Sequence, residues 1–193
     1  MEQTAAAVPH GPGLNSSISP SGPTHARLEP LAESDFETLT RLAGTIWRSH
    51  YSAIVGPAQI EYMLAGRYTP DRLREYLGSS ERWMELLKLD DETIGYCSYA
   101  RSAVPGEMKL EQLYLLQQHR GKGLGAMMLR RVESEARSQG LGVLMLQVNK
   151  RNTGALELYR KSGFSVREAA VFDIGNGYYM DDYVMAKPLE PPA

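Results

Sequence analysis

The chain has 193 residues, enough for one domain with a well-filled core and short for two. Hydrophobic residues make up 42% and charged residues 23% of it, as in ordinary globular proteins, and no apolar stretch is long enough to span a bilayer. A formal net charge of -2 gives no general attraction to polyanions, so we expect no nucleic-acid or membrane partner and a cytoplasmic location.

The composition divides the chain into one domain and two tails. Residues 1–25 are rich in Pro, Gly, Ser and Ala, hold almost no large apolar residues, and predict a disordered N-terminal tail. This segment lacks the basic start and continuous apolar centre of a secretory signal, which favours the cytoplasm. We therefore assign a folded domain to residues 26–189 and a short C-terminal tail to residues 190–193.

The first half of the domain predicts a strand, several helices and a hairpin. Alternating polarity marks the first strand, capping side chains mark the start of the first helix, and Gly56-Pro57 punctuates the chain after it. The acidic turn at 90–92 separates two strand candidates, which predicts an antiparallel hairpin. The predicted elements are a strand at 26–30, helices at 34–49, 58–66 and 70–78, and strands at 83–89 and 94–101.

The second half predicts a parallel crossover followed by a helix and two strands. Met128, Val132 and Ala136 form one apolar stripe on the central helix. The charged residues expected to face water are Arg130, Arg131, Glu133 and Arg137. A continuously apolar strand follows this helix, as in a buried parallel sheet. The predicted elements are strands at 108–116, 143–148, 164–171 and 178–187, and helices at 124–138 and 152–162. The chain is thus predicted to be an α/β protein.

A glycine-rich run at 118–125 lies between a predicted strand and a predicted helix. Three glycines in five positions allow positive φ angles and let the backbone approach a ligand without Cβ clashes. If the helix begins near Leu124, its unpaired N–H groups and positive dipole end point to one place, where Arg120 and Lys122 add charge. A plain surface turn is the alternative. The spacing fits neither the dinucleotide fingerprint nor a nucleotide triphosphate loop, so we predict a site for another phosphate ligand.

Two linked motifs resemble the GNAT-type N-acetyltransferases over nearly all of residues 27–188. The family loop (Q/R)-x-x-G-x-(G/A) is matched at 120–125, after the strand segment Leu113-Tyr114-Leu115. A second family segment is matched by Val148, Asn149, Asn152, Ala155, Tyr159, Lys161, Gly163 and Phe164. The resemblance implies the GNAT fold, a mixed and mostly antiparallel sheet of six to seven strands with a central parallel βαβ unit and flanking helices.

The resemblance also implies acetyl-CoA as co-substrate. In this family the loop amides bind the pyrophosphate, and the backbone of the fourth strand pairs with the pantetheine arm. No metal is expected, because no group of residues has ligand spacing. The cofactor contacts that the resemblance implies are the Leu113 and Leu115 backbone, the loop residues Arg120, Gly121, Lys122, Gly123, Leu124 and Gly125, and Asn152.

Tyr159 is the candidate acid of the reaction. It matches the family tyrosine that protonates the departing thiolate, and a phenol with a reference pKa of about 10 is near enough to a thiol at about 8.5. The alternative is a core tyrosine on a helix face. The single cysteine, Cys97, lies in an apolar segment and is expected to be a packed thiol rather than a catalytic one.

Glu111 is the candidate base, acting through water. Strand alternation places it on the same face as Leu113 and Leu115, and its segment resembles the strand of diamine acetyltransferases whose glutamate has that role. A solvated strand carboxylate or an ordered water chain is the alternative. Some relatives carry the base two residues earlier, where Lys109 disfavours that arrangement. The Leu115 amide is the family expectation for the oxyanion donor.

The acceptor is predicted to be a small cationic amine such as a polyamine. Residues around 46–51, 59–64 and 175–183 resemble bacterial spermine/spermidine acetyltransferase-like proteins, and carboxylates and aromatic faces both attract ammonium groups. Acetylation of a protein N-terminus or lysine, or a catalytically idle acyl-CoA sensor, are the alternatives. Many relatives pair through edge strands, so a homodimer is expected. The candidate acceptor residues are Trp47, Tyr51, Asp173, Asp181 and Asp182.

Overall fold

The computed structural model describes residues 25–190. The tails predicted at 1–25 and 190–193 lie almost wholly outside the described residues, so those two assignments stay predictions. Within the described part, every helix is too short or too polar to cross a membrane.

Residues 25–190 form seven strands and five α-helices, with short 3₁₀ turns at Glu33–Asp35 and Gln117–His119. In chain order they are β1 (Ala26–Pro30), α1 (Phe36–Tyr51), α2 (Pro57–Arg67), α3 (Pro70–Arg74), β2 (Arg82–Leu89), β3 (Glu92–Arg101), β4 (Glu107–Leu115), α4 (Leu124–Ser138), β5 (Val143–Asn149), α5 (Thr153–Lys161), β6 (Ser165–Gly175) and β7 (Tyr178–Pro188).

The strands form one sheet in the order β1-β2-β3-β4-β5-β7-β6. All neighbouring strands are antiparallel except β4 and β5, which are parallel and joined through α4. The expected α/β fold with a central βαβ unit is therefore confirmed.

Local sequence explains most element ends. The hairpin turns use residues that tolerate the left-handed region, with φ of 53° at Asp90 and 54° at Asn176. The Thr69 side chain caps α3 by accepting from the Arg72 amide (3.4 Å), and a proline follows the cap. The prediction that this helix runs to residue 78 is wrong, because the Tyr76 amide bonds three residues back to Leu73 and the chain leaves the α-helix.

Hydrophobic side chains pack on both faces of the sheet. One cluster lies under α4 and α5, and the other lies under α1, α2 and α3. The stripe on α4 is buried as predicted, and the thiol of Cys97 is fully buried, which raises its pKa. The expectation that Glu133 faces water is wrong. It is 6% exposed, because Lys187 reaches over from β7 to its carboxylate (2.7 Å) and Arg137 lies 3.6 Å away.

Candidate active site

The sheet opens between its two parallel strands. β4 and β5 are paired only from Glu107 to Leu110, opposite Val143 to Leu146. Beyond Leu146, β5 continues to pair with β7 as far as Asn149, while the second half of β4 stays with β3. The gap between them is the floor of a cleft of about 780 Å³.

The exposed edge of β4 offers backbone groups to this cleft. The Leu116 amide donates to the Ile94 carbonyl of β3 (2.9 Å), which makes Leu115 and Gly95 a pair without mutual hydrogen bonds. By strand alternation, the N–H and C=O groups of Leu113 and Leu115 point away from β3 and into the opening. The Leu115 carbonyl already accepts from Arg120 Nε (3.3 Å). A ligand with amides of its own would find a strand edge here.

The glycine-rich loop forms the mouth of the cleft. Gly121 and Gly123 have φ of 74° and 78°, and Gly123 is the residue before the first turn of α4. The first bond of that helix runs from the Met127 amide to the Gly123 carbonyl (3.0 Å), so the amides just before Met127 have no acceptor within the helix. Unpaired amides at a helix N-terminus suit an anion, and the anion site that the spacing predicts stays a prediction.

The predicted loop residues divide between the cleft and its surroundings. Arg120, Gly121, Gly123 and Gly125 line the cleft. The side chains of Lys122 and Leu124 lie outside it, because Lys122 is exposed and Leu124 packs against the core under α4.

His50 lies beside the loop and was not singled out from the sequence. Its Nδ1 is 3.2 Å from Arg120 Nη1, and it lines the cleft. Burial, together with the nearby Arg120 charge, lowers the His50 pKa. A neutral imidazole therefore accepts from Arg120 and holds its guanidinium at the mouth. No sequence signal joined two residues seventy positions apart.

The opposite wall is the start and inner face of α5. Asn152 caps this helix, with its side-chain oxygen accepting from the Ala155 amide (3.3 Å), and it lines the cleft. Tyr159, about two turns further on, also lines the cleft and is 7% exposed. Burial raises the pKa of the Tyr159 phenol, and the neighbouring Tyr51 raises it further. The phenol therefore keeps its proton at neutral pH.

A β-bulge displaces Glu111. Ser98 pairs with Gln112 but Tyr99 pairs with Leu110, which leaves Glu111 as an extra residue of β4. Because side chains alternate along a strand, this one extra residue puts Gln112 on the opposite face from Leu110.

The expectation that Glu111 shares the face of Leu113 and Leu115 is therefore wrong. Its carboxylate accepts from the Tyr76 hydroxyl (3.0 Å) and lies 3.5 Å from Arg82, on the α1–α3 side of the sheet. The leucines pack on the α4 side. Glu111 nevertheless borders the cleft, and it also borders a neighbouring cavity of about 230 Å³.

The five candidate acceptor residues are not all in the cleft. Trp47, Tyr51 and Asp182 line it. Asp173 accepts from the Gly175 amide (2.8 Å) in its own hairpin, and Asp181 forms an ion pair with a lysine at the end of β5. Strand alternation explains the difference, because Asp181 and Asp182 point to opposite faces of β7.

Asp182 is a buried carboxylate at the end of the opening. It is 7% exposed and accepts from Asn149 Nδ2 at 3.4 Å. Burial raises the Asp182 pKa above its usual value. This carboxylate therefore gains from any cation that enters the cleft.

A buried chain of hydroxyl groups orients Gln112. Trp47 Nε1 donates to the Tyr96 hydroxyl (3.3 Å), which lies 2.6 Å from the Tyr68 hydroxyl, and that hydroxyl lies 2.8 Å from Gln112 Oε1. Trp47 can only donate and each hydroxyl has one proton, so the donors run from Trp47 through Tyr96 and Tyr68 to Gln112.

The reverse orientation of the amide is disfavoured. If Gln112 donated to Tyr68, then Tyr68 would donate to Tyr96, which already accepts from Trp47. The Tyr96 hydroxyl proton, on a fully buried side chain, would then have no partner, at a cost of about 1–3 kcal/mol. Gln112 therefore presents its NH₂ group, and not its oxygen, toward the cleft that it lines.

Two cations also line the cleft and were not assigned a role from the sequence. Arg67, the last residue of α2, is exposed and lies 5.8 Å from the ring centre of Trp47. Lys109 donates to Gln147 Oε1 (2.9 Å). Within residues 25–190, neither Arg67 nor Lys109 forms an ion pair. Two carboxylates that line the same cleft do, because Glu111 lies 3.5 Å from Arg82 and Glu157 lies 2.6 Å from Lys161.

The fold and the cleft together define an α/β protein with an open strand edge and a helix N-terminus in one cleft. Comparison with known proteins gives the family. The model of the acetyltransferase (GNAT) family matches residues 46–164, and the chain belongs to this family. It is therefore an acyltransferase. No group of three or more potential metal ligands occurs among residues 25–190.

Three relatives illustrate the likeness. An uncharacterized N-acetyltransferase of Mycobacterium tuberculosis is 27% identical over 81% of this chain and 99% of its own length. Spermidine N(1)-acetyltransferase of Thermoplasma acidophilum is 25% identical over 84% of this chain and 97% of its own. The crystal structure of the PaiA N-acetyltransferase from Thermoplasma acidophilum in complex with coenzyme A has a TM-score of 0.72 at 21% identity, over 85% and 99% of the two chains.

Proposed function

We propose that this protein transfers the acetyl group of acetyl-CoA to a primary amine by direct attack. One observation carries the proposal. The same cleft contains a helix N-terminus lined by left-handed glycines and a β4 edge whose amides have no partner strand. The first suits a pyrophosphate and the second suits the amide groups of a pantetheine arm.

The residues of the cleft divide the chemistry among them. Acetyl-CoA supplies an activated acyl group, so the protein has to align the amine and move two protons. As the new C–N bond forms and the C–S bond breaks, the amine loses a proton and the sulfur gains one. Tyr159 is the proposed donor to sulfur, because its buried phenol is protonated and faces the cleft. Glu111 is the proposed acceptor of the amine proton, through water, because it borders the cleft from the bulge.

The acceptor end of the cleft offers charges of both signs. A polyamine is favoured by Asp182 and by the spermidine acetyltransferase among the relatives. Arg67 and Lys109 work against it, because neither forms an ion pair within residues 25–190, two cations repel a polycation, and Lys109 also acts on Asp182 by lowering the pKa of that carboxyl. Polyamines are therefore the second candidate acceptor, behind amines that also carry a negative charge.

The test is a thiol-release assay with acetyl-CoA and a panel of amines. Spermidine, free amino acids and short peptides with free N-termini are compared at equal concentration, with acetyl-CoA alone as the blank. We expect turnover above the blank with at least one class. Peptide turnover alone would favour the protein-directed alternative. Thermal stabilisation by acetyl-CoA without turnover of any amine would favour the idle sensor and overturn the proposal.

A further inference from the structure

Three residues stand where the cleft meets the smaller cavity. Arg67, Glu111 and Gln112 border both. Glu111 is already engaged by Tyr76 and Arg82. The groups that remain for a ligand at this junction are the Arg67 guanidinium and the Gln112 NH₂ group, and both are hydrogen-bond donors.

The orientation of Gln112 is built into the core. Its oxygen is used by the hydroxyl chain that begins at Trp47, and Tyr68 is the last donor of that chain. The NH₂ group has no hydrogen bond to another residue in the part of the chain described. It is also not one of the polar atoms that are fully buried without a partner, so a ligand can reach it. A buried tryptophan and two buried tyrosines thus hold one amide in a fixed direction.

Arg67 supplies charge at the same junction. Its guanidinium carbon lies 5.8 Å from the ring centre of Trp47, which lines the same cleft, and its positive charge partly opposes the rise that burial causes in the pKa of the Tyr51 and Tyr114 phenols. A planar guanidinium matches the two oxygens of a carboxylate, and a primary amide NH₂ group can donate a further hydrogen bond to one of them.

The remaining lining of the acceptor end is apolar. Met63 comes from α2, and Phe172, Ile174 and Met180 come from the β6–β7 hairpin. Such a surface suits a hydrocarbon or thioether side chain better than a chain of ammonium groups.

We propose that the acceptor is an amine that also carries a carboxylate and an apolar side chain, with the carboxylate held between Arg67 and Gln112 Nε2. This inference rests on the proposed amine acetylation and specifies its substrate class. Asp182, on the far side of the opening, attracts the ammonium group of the same molecule.

The test compares matched acceptors. L-leucine and L-phenylalanine are assayed beside their carboxamides and their decarboxylated amines, 3-methylbutylamine and 2-phenylethylamine, with spermidine as the polycation. We expect kcat/KM for at least one acid to exceed that of its carboxamide by about 10- to 100-fold, the usual strength of a charged hydrogen-bonded contact. Arg67→Met should remove that preference and should leave the spermidine rate equal or higher, since a repulsive charge is gone.

A second variant and a control separate recognition from folding. Gln112→Glu keeps the acceptor for Tyr68 but replaces the donor by a negative charge, so it should lower kcat/KM for the acid by at least the same factor. Arg41→Met changes an exposed arginine of α1 outside the cleft and should have no effect. Calorimetric binding of the same acid and carboxamide to the CoA-saturated protein gives a readout without turnover.

The outcomes separate the two proposals. If amines are acetylated but acids and carboxamides react and bind alike, or if the acid preference survives in Arg67→Met, the carboxylate subsite is wrong while the acetyltransferase proposal stands. If no amine is acetylated, the proposed function fails, and the calorimetric comparison still decides whether the carboxylate is recognised.

Discussion

Gly123 allows a quantitative test of the phosphate cradle. Its φ is 78°, and a Cβ built on it would meet no atom within 4 Å. A side chain at this position therefore meets no steric obstacle, and any cost comes from the backbone alone. For an ordinary L-residue in the left-handed region that cost is about 1–2 kcal/mol.

The strain divides between stability and binding. If Gly123→Ala keeps the loop conformation, the free energy of unfolding falls by the full amount. If the loop relaxes, the unliganded protein escapes the strain, but the α4 amides must be realigned to bind CoA, and Kd rises by about 5- to 30-fold. The loss of folding free energy and the loss of CoA-binding free energy therefore add up to about 1–2 kcal/mol, whichever way the loop responds.

Two variants calibrate this sum. Gly142→Ala adds a methyl group at a glycine that also has open space but no positive φ, so it measures the effect of alanine on the unfolded chain. Gly123→Asn should cost less than Gly123→Ala, because asparagine tolerates the left-handed region. The measurements are urea unfolding and calorimetric titration with CoA. Equal sums for Gly123→Ala and Gly142→Ala would refute the assignment of a strained, ligand-shaping glycine.

Three further predictions address the rest of the cleft. Tyr159→Phe should lower the single-turnover rate by about 100-fold or more and leave CoA affinity unchanged, since a general acid contributes that much and the phenol has no role in the cradle; an unchanged rate contradicts the assignment. Burial raises the Asp182 pKa, so the folded state holds this proton more firmly than the unfolded chain, and stability falls as pH rises between the two pKa values. Asp182→Asn should therefore be more stable than the wild type near pH 7 but not near pH 3, as measured by urea unfolding at the two pH values. If the free energies of unfolding of the variant and the wild type change with pH in the same way, the prediction is wrong. Tyr68→Phe should reduce the free energy of unfolding by about 1–3 kcal/mol, because Gln112 loses its donor and the Tyr96 proton loses its acceptor, while CoA titration stays as in the wild type; unaltered stability would mean that the hydroxyl chain is not formed.

Local patterns were sufficient to predict most of the fold. The α4 stripe, the left-handed glycines and the start of α5 near Asn152 depend on residues close together in the chain, where periodicity and turn chemistry act. Apart from the end of α3, the errors lie where distant residues meet. Glu133 is buried only because Lys187 reaches it from another strand, and this pairing has no signature in the α4 sequence.

The bulge at Glu111 had a partial signature. Two polar residues in succession, Glu111 and Gln112, interrupt the alternation of β4, and such an interruption is what an extra residue in a strand produces. The sequence does not say which of the two is the extra one, because that depends on the register with Ser98 and Tyr99 of β3. The face of the sheet on which Glu111 lies could therefore be determined only from the structure.

The two ends of the cleft differ in how far a sequence can specify them. The mouth is built from backbone amides, so glycines at the right spacing are enough to predict its chemistry, and the same spacing serves any chain that binds the same phosphates. The acceptor end is built from side chains of α2, β4 and the β6–β7 hairpin, and Arg67 and Gln112, which line it together, are 45 positions apart in the sequence. A change at any one of these positions alters the acceptor without touching the cradle. We therefore expect the charges at this end to decide the acceptor, since Arg67 and Lys109 form no ion pair within residues 25–190 and Asp182 is a carboxylate that lines the same cleft.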